Sequence, residues 1–316
     1  MDPLTHTLTG LMLSRVGLRR WYPRPAILLM LAANAPDIDI VGSFGGSLTY
    51  LKYHRGLTHS LAASPVMAAF VVLVFCGFSG SFRNWRGALW ISWIAVLSHL
   101  LLDWTNSYGI RLLLPFSPRW LALDITNVFD LWIWAALLLG LFAPILSRLV
   151  SGEIGDRLNT GKGPAIAALV FVLLYNGGRF AMHQRACNVL EWRLYRGVPP
   201  SRFSALPNAA FPWRWDAIVE TPEFYVHAPV NLLTQFDPSA GRIIYKPLSS
   251  APIEAARRTP PFQGLLAFAR YPSWSVAPSG QGDGSVRVEL RDLRFPFFAT
   301  ALVDAASRVQ SSSFHF

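Results

Sequence analysis

The stretch GALWISWIAVLSHLLLDW, residues 87–104, decides how this chain folds. It approaches the roughly 20 apolar residues needed to cross about 30 Å of hydrocarbon, yet its last turns carry His99 and Asp103. Ionisable side chains in membrane helices are costly, by at least about 2.5–3.5 kcal/mol for a charge at the helix centre, and by default they indicate function. The stretch therefore predicts a membrane-spanning helix with a functional site at one end.

The composition of the whole chain is typical of a membrane protein. Of its 316 residues, 52% are hydrophobic and 15% charged, with a mean hydropathy of +0.34, whereas soluble domains carry about a quarter charged residues. This composition excludes intrinsic disorder, and the two distant cysteines, Cys76 and Cys187, exclude a disulfide scaffold. The net charge of +10 includes no basic run with interleaved aromatics, so nucleic acid is not an expected partner.

Other apolar stretches extend this prediction to an α-helical polytopic membrane domain of five to six helices. Clear candidates, besides Gly87–Trp104, are Leu61–Phe78, Phe129–Val150 and Pro164–His183. Pro25–Val41 is ambiguous because it is short for a span. Leu4–Gly17 is shorter still, and it lacks the basic region and cleavage site of a signal peptide, so it is expected to be a short span or a half-inserted helix.

Basic residues in the predicted loops predict the orientation of the chain in the membrane. If six segments cross, one side carries nine Lys/Arg (Arg15, Arg19, Arg20, Arg24, Arg83, Arg86, Arg148, Arg157 and Lys162) and the other carries four (Lys52, Arg55, Arg111 and Arg119). Because basic residues concentrate on the cytoplasmic side, we expect the second set of loops and the C-terminal region to be extracytoplasmic. The predicted location is the bacterial inner membrane, with the lipid bilayer as a partner.

After about residue 190 the long apolar runs stop, and Pro and Gly become frequent. In SVRVELRDLRF, Ser285–Phe295, apolar and charged residues alternate, which predicts a half-buried antiparallel strand. Ala217–His227 and Arg242–Lys246 read as shorter strands. We therefore predict a transmembrane domain over residues 1–187 and a small β-rich extramembrane domain over residues 188–316.

The predicted topology gathers ionisable residues from unrelated segments on one face of the membrane. These are Asp37, Asp39, Asp103, Asp124 and Asp130, together with His6, His54, His59 and His99. His99 and Asp103 are four residues apart on a helix and so point to the same side. Imidazole and carboxylate without thiolate favour Zn²⁺, with Mn²⁺ as the alternative, and the number of candidate ligands allows one ion or two.

Each signal also has an ordinary structural explanation. A single histidine such as His6 is more often a satisfied core residue than a ligand, and Asp124 and Asp130 suit the cap of the helix beginning near Phe129. His99 with Asp103 could instead form a buried hydrogen-bonded pair. Arg55 could bind an anionic group of a substrate or simply be a loop charge. Together the signals favour a functional site, because otherwise the ionisable residues of four separate segments would all need a purely structural explanation.

Four motifs resemble those of a known family: DPLTHTLTG at residues 2–10, APDID at 35–39, YHRGLTHS at 53–60 and SHLLLDWTNSYG at 98–109. In this order they are similar to the LexA-regulated, membrane-bound predicted metal-dependent hydrolases of bacteria, over roughly residues 1–180. The resemblance implies a multi-spanning inner-membrane protein. It also implies a set of metal-site residues: His6, Asp37, Asp39, His54, His59, His99 and Asp103.

The residues and the resemblance together predict a metal-dependent hydrolase. A water molecule activated by the metal would attack a phosphoester or another ester or amide bond, with Asp39 or Asp103 as general base. Because the site is predicted at the membrane edge, the expected substrate is a lipid or a lipid-linked phosphoester. Two alternatives remain open: an ion- or proton-coupled transporter that uses the same cluster, and a non-catalytic membrane scaffold.

Overall fold

The structure is a computed structural model that describes residues 1–80, 82–154, 161–280 and 282–316. It divides into two compact units. The first comprises Met1–Asp39, Arg55–His183 and Pro207–Pro212, and the second comprises Ile40–His54, Gln184–Leu206 and Trp213–Phe316. The N-terminal half of the chain is helical, and two small antiparallel sheets follow it.

The helices have the following bounds in chain order. They are α1 Pro3–Arg15, α2 Ala26–Asn34, α3 Ser47–Tyr53, α4 Ser64–Ser79, α5 Trp85–Thr105, α6 Leu131–Ile154, α7 Lys162–Glu191, α8 Ala251–Arg257 and α9 Pro260–Phe268. Short 3₁₀ segments lie at Leu18–Arg20, Ala35–Gly45, Leu57–His59 and Pro238–Ala240.

Three helical segments in the described residues are long and apolar enough to cross a membrane: Ala26–Gly45, Trp85–Thr105 and Lys162–Glu191. A fourth is added if Ser47–His59 and Ser64–Ser79 form one broken span. The predicted count of five to six spans is not confirmed. α1 has only 13 residues, about 20 Å of helix, and the described apolar part of α6, Leu131–Leu146, is also short. Of the basic residues used to predict the orientation, Arg148 and Arg157 lie outside the residues whose side chains are described.

Small side chains allow the helices of the first unit to pack closely. At Gly10 of α1, a Cβ atom would lie 2.6 Å from the carbonyl oxygen of Leu29 on α2, so only glycine permits this approach. α2, α4 and α5 share a buried core of Leu28, Leu29, Ala32, Ala33, Ala68, Val71, Val72, Cys76, Ala88, Ile91, Ala95 and Val96. Close packing of this kind, through small residues, is common between membrane helices.

The second unit contains two four-stranded antiparallel sheets. One has the order β1 (Arg202–Pro207), β2 (Arg214–Glu220), β3 (Phe224–Asn231) and β4 (Arg242–Tyr245). The other has the order β5 (Pro272–Pro278), β6 (Val286–Asp292), β7 (Phe298–Val303) and β8 (Val309–His315). The alternation predicted at Ser285–Phe295 is confirmed in β6, where Val288 and Leu290 are buried while Arg287 and Arg291 are exposed. The stretch Ala217–His227 spans parts of β2 and β3, whose register pairs Ala217 with Ala228.

Candidate metal centre

The first unit brings together six of the residues predicted for the site: His6, Asp37, Asp39, His59, His99 and Asp103. They come from four different elements, namely α1, the 3₁₀ segment after α2, the 3₁₀ turn Leu57–His59, and α5. Asp37 is partly exposed and the other five are buried. A cluster of imidazole and carboxylate groups is thus enclosed by helices of the membrane domain.

Four of these residues, Asp37, His59, His99 and Asp103, each offer one ligand atom to a common point. The four atoms lie within 4.8 Å of one another. The Nε2 atoms of His59 and His99 are 3.1 Å apart. Nε2 of His59 is 3.3 Å from Oδ1 of Asp37 and 3.5 Å from Oδ2 of Asp103, and the corresponding distances from Nε2 of His99 are 3.7 Å and 3.5 Å.

The tautomer of His99 follows from its backbone partner. Its Nδ1 lies 2.7 Å from the carbonyl oxygen of Ala33 on α2. A carbonyl only accepts hydrogen bonds, so Nδ1 carries the hydrogen and donates it. Nε2 of the neutral ring is then left with a lone pair directed at the cluster.

His59 is oriented in the same way by Asp39 and Thr58. Nδ1 of His59 lies 3.2 Å from Oδ2 of Asp39 and 3.1 Å from Oγ1 of Thr58. The Thr58 hydroxyl donates its own hydrogen to Oδ2 of Asp39, at 3.0 Å. Both neighbours can therefore accept from Nδ1–H, and in that tautomer of the neutral ring Nε2 has a lone pair. A carboxylate behind a histidine is a common second layer of metal sites, where it fixes the ring and raises its basicity.

The two oxygens of Asp103 have different surroundings. Oδ1 lies 3.2 Å from Nη2 of Arg55, receives a long hydrogen bond of 3.4 Å from Nδ2 of Asn106 and contacts the α-amino group of Met1. Oδ2 is fully buried and has no hydrogen-bond donor. A buried carboxylate oxygen without a donor is costly, and this one faces the histidine lone pairs.

His6 is the remaining imidazole of the cluster. Its ring stacks on that of His99, with centroids 3.7 Å apart. Nε2 is 3.4 Å from Oδ1 of Asp103, but neither ring nitrogen has a partner in hydrogen-bonding geometry. Buried polar atoms are normally satisfied, so the two ring nitrogens of His6 are exceptional beside the four-donor cluster.

The region that contains this cluster matches the model of a known protein family. The model, described as YdjM inner membrane protein, matches residues 1–186. The chain belongs to the YdjM inner membrane protein family. The matched residues of this YdjM-family protein include the whole cluster and end before the first strand of the two sheets. The description of the family and the candidate spans agree on a membrane protein.

A curated relative covers a similar region. The uncharacterized protein YfhP of Bacillus subtilis (strain 168) is 31% identical over 145 residues, which is 42% of this chain and 43% of YfhP. The match thus spans less than half the length of that relative. No solved structure matches this YdjM-family protein.

The donor set of this YdjM-family protein fits a zinc-type ion. With both rings neutral and hydrogen on Nδ1, two histidine lone pairs and two carboxylate oxygens converge, one of these oxygens without a donor, and such a donor set suits a divalent cation. A tetrahedron with bonds of about 2.0–2.1 Å to nitrogen and oxygen has edges of about 3.3 Å. Five of the six donor separations, 3.1–3.7 Å, scatter around that length.

His54 and Arg55 are neighbours in the sequence but belong to different units. His54 follows the last residue of α3 and stacks on Tyr50 with ring centroids 4.4 Å apart, and its role as a metal ligand stays a prediction. Arg55 is buried in the first unit and adopts a left-handed backbone conformation with φ +54°. Its guanidinium contacts Asp103 and donates to Oδ1 of Asn106, at 3.0 Å. Arg55 therefore holds the Asp103 carboxylate in place.

Sequence reasoning missed several residues that this geometry uses. Thr58 and Asn106 are polar residues next to motif residues, and their positions in LTHS and DWTN were the available signal. The sequence contained no signal for the Ala33 carbonyl, because every residue has a backbone carbonyl group. Arg111 was counted only as a loop charge. Burial lowers the pKa of Arg111, while Tyr108 and Asp39 favour its charged form.

Proposed function

We propose that this protein is a membrane-bound metal-dependent hydrolase that holds its ion with His59, His99, Asp37 and Asp103. The observation that carries the proposal is the approach of the two Nε2 atoms to 3.1 Å while both Nδ1 atoms face acceptors. Two lone pairs at this distance repel each other unless a cation lies between the rings. Zn²⁺ suits two imidazoles and two carboxylates, with Mn²⁺ as the alternative.

The remaining groups act around this ion. Asp39 accepts from the backbone N–H of Arg55, at 2.8 Å, and from the hydroxyl of Thr58, at 3.0 Å, while orienting His59. A carboxylate with these donors is a poor proton acceptor, since hydrogen bonds to the charged form favour it. Asp39 is thus a positioning residue in this proposal and not the general base.

His6 is the group best placed to accept a proton. It is buried against His99, and both of its ring nitrogens lack hydrogen-bond partners. When bound, the divalent ion would supply Lewis-acid activation of water and of the substrate oxygen. His6 would take the proton of the attacking water as its oxygen bonds to the phosphorus or carbonyl carbon. The ester or amide bond breaks, and His6 returns the proton to the leaving alcohol or amine.

Hydrolysis of a phosphoester is the preferred reaction, with carboxylic esters and amides as alternatives. The location expected for this chemistry is the extracytoplasmic edge of the inner membrane. The cluster joins residues at the end of one candidate span, His99 and Asp103, with residues inside another, Asp37 and Asp39. A site enclosed by membrane helices favours a substrate that reaches it from the lipid phase.

Elemental analysis of the full-length protein, purified in detergent without chelators, tests the proposal. We expect about one equivalent of zinc or manganese in the wild type and in His183→Ala, a matched control on α7. His59→Ala and Asp103→Ala should each lose it while still eluting as monodisperse species in gel filtration. Metal-free wild type would overturn the proposal.

The hydrolytic step needs its own readout. Metal-loaded protein should cleave bis(p-nitrophenyl) phosphate or p-nitrophenyl phosphate, and His6→Gln should lower the rate by roughly 10²–10⁴-fold, the usual contribution of general acid–base catalysis. His6→Gln should retain the metal. Loaded protein that cleaves neither these probes nor p-nitrophenyl esters and anilides would contradict a hydrolase and favour ion transport.

A further inference from the structure

We propose that a cavity in the second unit binds a zwitterionic phospholipid of the phosphatidylethanolamine type, with Arg196 on its phosphate and Asp237 on its ammonium group. The cavity has a volume of about 380 Å³, which is in the usual range of small-molecule sites. Its lining combines polar and apolar side chains of the second unit, among them Leu194, Arg196, Val226, Asp237, Ser239 and Ile243. Three observations carry the proposal: the turn that holds Arg196, the charge of Asp237, and the helix that leads to the cavity.

Arg196 occupies a turn position that arginine seldom takes. The backbones of Tyr195 and Val198 exchange two hydrogen bonds, at 2.8 and 3.0 Å. The two residues between them have positive φ, +50° at Arg196 and +81° at Gly197. This is the pattern of a type I′ turn, whose central positions favour asparagine, aspartate and glycine. A left-handed arginine is strained, and strained residues cluster at binding and active sites.

The side chain of Arg196 is directed by Tyr245. Nη1 of Arg196 donates to the phenol oxygen of Tyr245, at 2.7 Å, and Tyr245 lies two residues after Ile243 on β4. Arg196 is exposed, and a guanidinium carries several N–H donors in a fixed plane. Such a group binds phosphate through parallel charge-assisted hydrogen bonds. The turn thus presents a cation to the cavity with its direction already set.

Asp237 brings a negative charge to the same cavity. Its Oδ1 accepts hydrogen bonds from the backbone N–H and the hydroxyl of Ser239, at 2.8 and 2.7 Å. The hydrogen bonds from Ser239 lower the pKa of Asp237, so its carboxylate is charged at neutral pH. Both hydrogen bonds end on Oδ1, and Oδ2 can accept from an ammonium group. An arginine and an aspartate in one cavity fit a ligand that carries both charges.

The position of the cavity in the chain indicates a lipid. The cavity begins just after the end of α7, a candidate membrane span. With 30 residues, α7 is about 45 Å long, close to the thickness of a bilayer with its headgroups. Its last turns pack with Tyr195 and Val226 in one buried core. Trp192 and Leu194, beyond its end, are 83% and 62% exposed, and tryptophan at the end of a span is typical of the headgroup region.

A phosphatidylethanolamine matches every part of this lining. Phosphatidylglycerol has the phosphate but no ammonium group, so Asp237 would face it without a partner. Free phosphoethanolamine has both charges but no apolar part to contact Leu194, Val226 and Ile243. The cavity is therefore expected to select the complete lipid over both.

Isothermal titration calorimetry of the full-length protein in detergent tests this selection. The probes are dihexanoyl phosphatidylethanolamine, dihexanoyl phosphatidylglycerol and phosphoethanolamine. The first should bind tighter than either of the others by about tenfold or more. Phosphoethanolamine that binds as tightly as the lipid would indicate a site for a soluble zwitterion and overturn the proposal. Equal binding of the two lipids would overturn it as well.

Arg196→Asn is the decisive variant, because asparagine suits a type I′ turn better than arginine does. The apparent melting temperature should stay constant or rise, while the affinity for dihexanoyl phosphatidylethanolamine should fall by about tenfold or more. Arg242→Gln, the control, removes an exposed charge next to Ile243 and should change the affinity by less than about twofold. Equal losses in the two variants would show a general effect of charge and contradict the proposal.

Asp237→Asn tests the second charge, and asparagine preserves the cap of the 3₁₀ segment Pro238–Ala240. This variant should weaken binding of phosphatidylethanolamine but not of phosphatidylglycerol. Asp283→Asn is the matched control, because Asp283 is also exposed and accepts the same pair of hydrogen bonds from Ser285. Equal effects of the two changes would contradict the role of Asp237.

Metal analysis of the same samples separates this site from the metal centre. Arg196→Asn and Asp237→Asn should retain the metal of the wild type, because neither residue belongs to the four-donor cluster. Wild-type protein without metal would overturn the proposed hydrolase, while its lipid binding would still decide the present proposal. Metal-loaded protein whose lipid binding ignores Arg196 and Asp237 would overturn the present proposal alone.

Discussion

Nε2 of His59 lies 3.1 Å from Nε2 of His99, while the Nδ1 atoms of both rings face oxygen acceptors. The Ala33 carbonyl takes the Nδ1–H of one ring, and Asp39 with Thr58 takes that of the other. The backbone of α2 and a carboxylate that follows it thus set the protonation of two histidines from other segments. With both rings neutral, the fold directs their lone pairs to one point, as expected of a preorganised metal site.

This arrangement predicts tetrahedral coordination. Cobalt(II) loaded in place of the proposed ion should give the intense visible absorption of a tetrahedral complex, because five of the six donor separations, 3.1–3.7 Å, match tetrahedral edges. Absorption spectra of the cobalt-loaded protein check this. His99→Gln should abolish the intense bands and His183→Gln should leave them intact. The weak spectrum of octahedral cobalt in the wild type would contradict this geometry.

The close approach of α1 and α2 gives a prediction about stability. Gly10→Ala should destabilise the protein by about 1–3 kcal/mol, because the new methyl group would meet the backbone at Leu29 and Met30, which cannot yield as a flexible side chain can. The apparent melting temperature in detergent should fall. The metal affinity should fall too, because α1 carries His6 and α2 carries the Ala33 carbonyl.

Gly77→Ala on α4 is the matched control for this change. Nothing lies within 4 Å of a Cβ atom at Gly77, and alanine favours a helix over glycine by up to about 1 kcal/mol. The melting temperature should stay constant or rise. Similar melting temperatures for the two variants would show that the α1–α2 contact does not require glycine.

The sequence contained the local geometry of the cluster but not its full membership. His99 and Asp103 were predicted on one helix face because helical spacing is regular, and the structure has them one turn apart. For the motif HRGLTHS, spacing alone could not show how the surroundings of His54 and His59 differ. The chain turns sharply between them, with left-handed Arg55 followed by Gly56, and the two histidines belong to different units.

The limits of the fold prediction have a similar physical origin. Hydropathy measures the length of apolar segments, so it predicted that membrane helices are present. It did not fix the number of spans, because short helices such as α1 are ambiguous. Alternation predicted β6 because period-two burial is local. Pairing of strands into two sheets depends on contacts distant in sequence, which a single amino-acid sequence does not reveal.

Asp39 provides the sharpest test of the assignment of roles. It contacts Nδ1 of His59, the nitrogen turned away from the cluster, and is therefore assigned to the layer behind the ligands. Asp39→Asn keeps the size of the side chain but removes its charge and one acceptor oxygen. The zinc affinity should fall by about 10–100-fold, the usual cost of losing such a partner, while about one equivalent still binds at saturation.

Asp37→Asn is the matched change at a proposed ligand two residues away. It removes a charged donor atom that lies 3.3 Å from Nε2 of His59, so the loss of affinity should exceed that of Asp39→Asn. Competition with a zinc-binding indicator dye measures both variants on one scale. If Asp39→Asn proved the more damaging, Asp39 would have to bind the metal itself. The ligand set would then shift from Asp37 to Asp39, with His59 turned to present Nδ1.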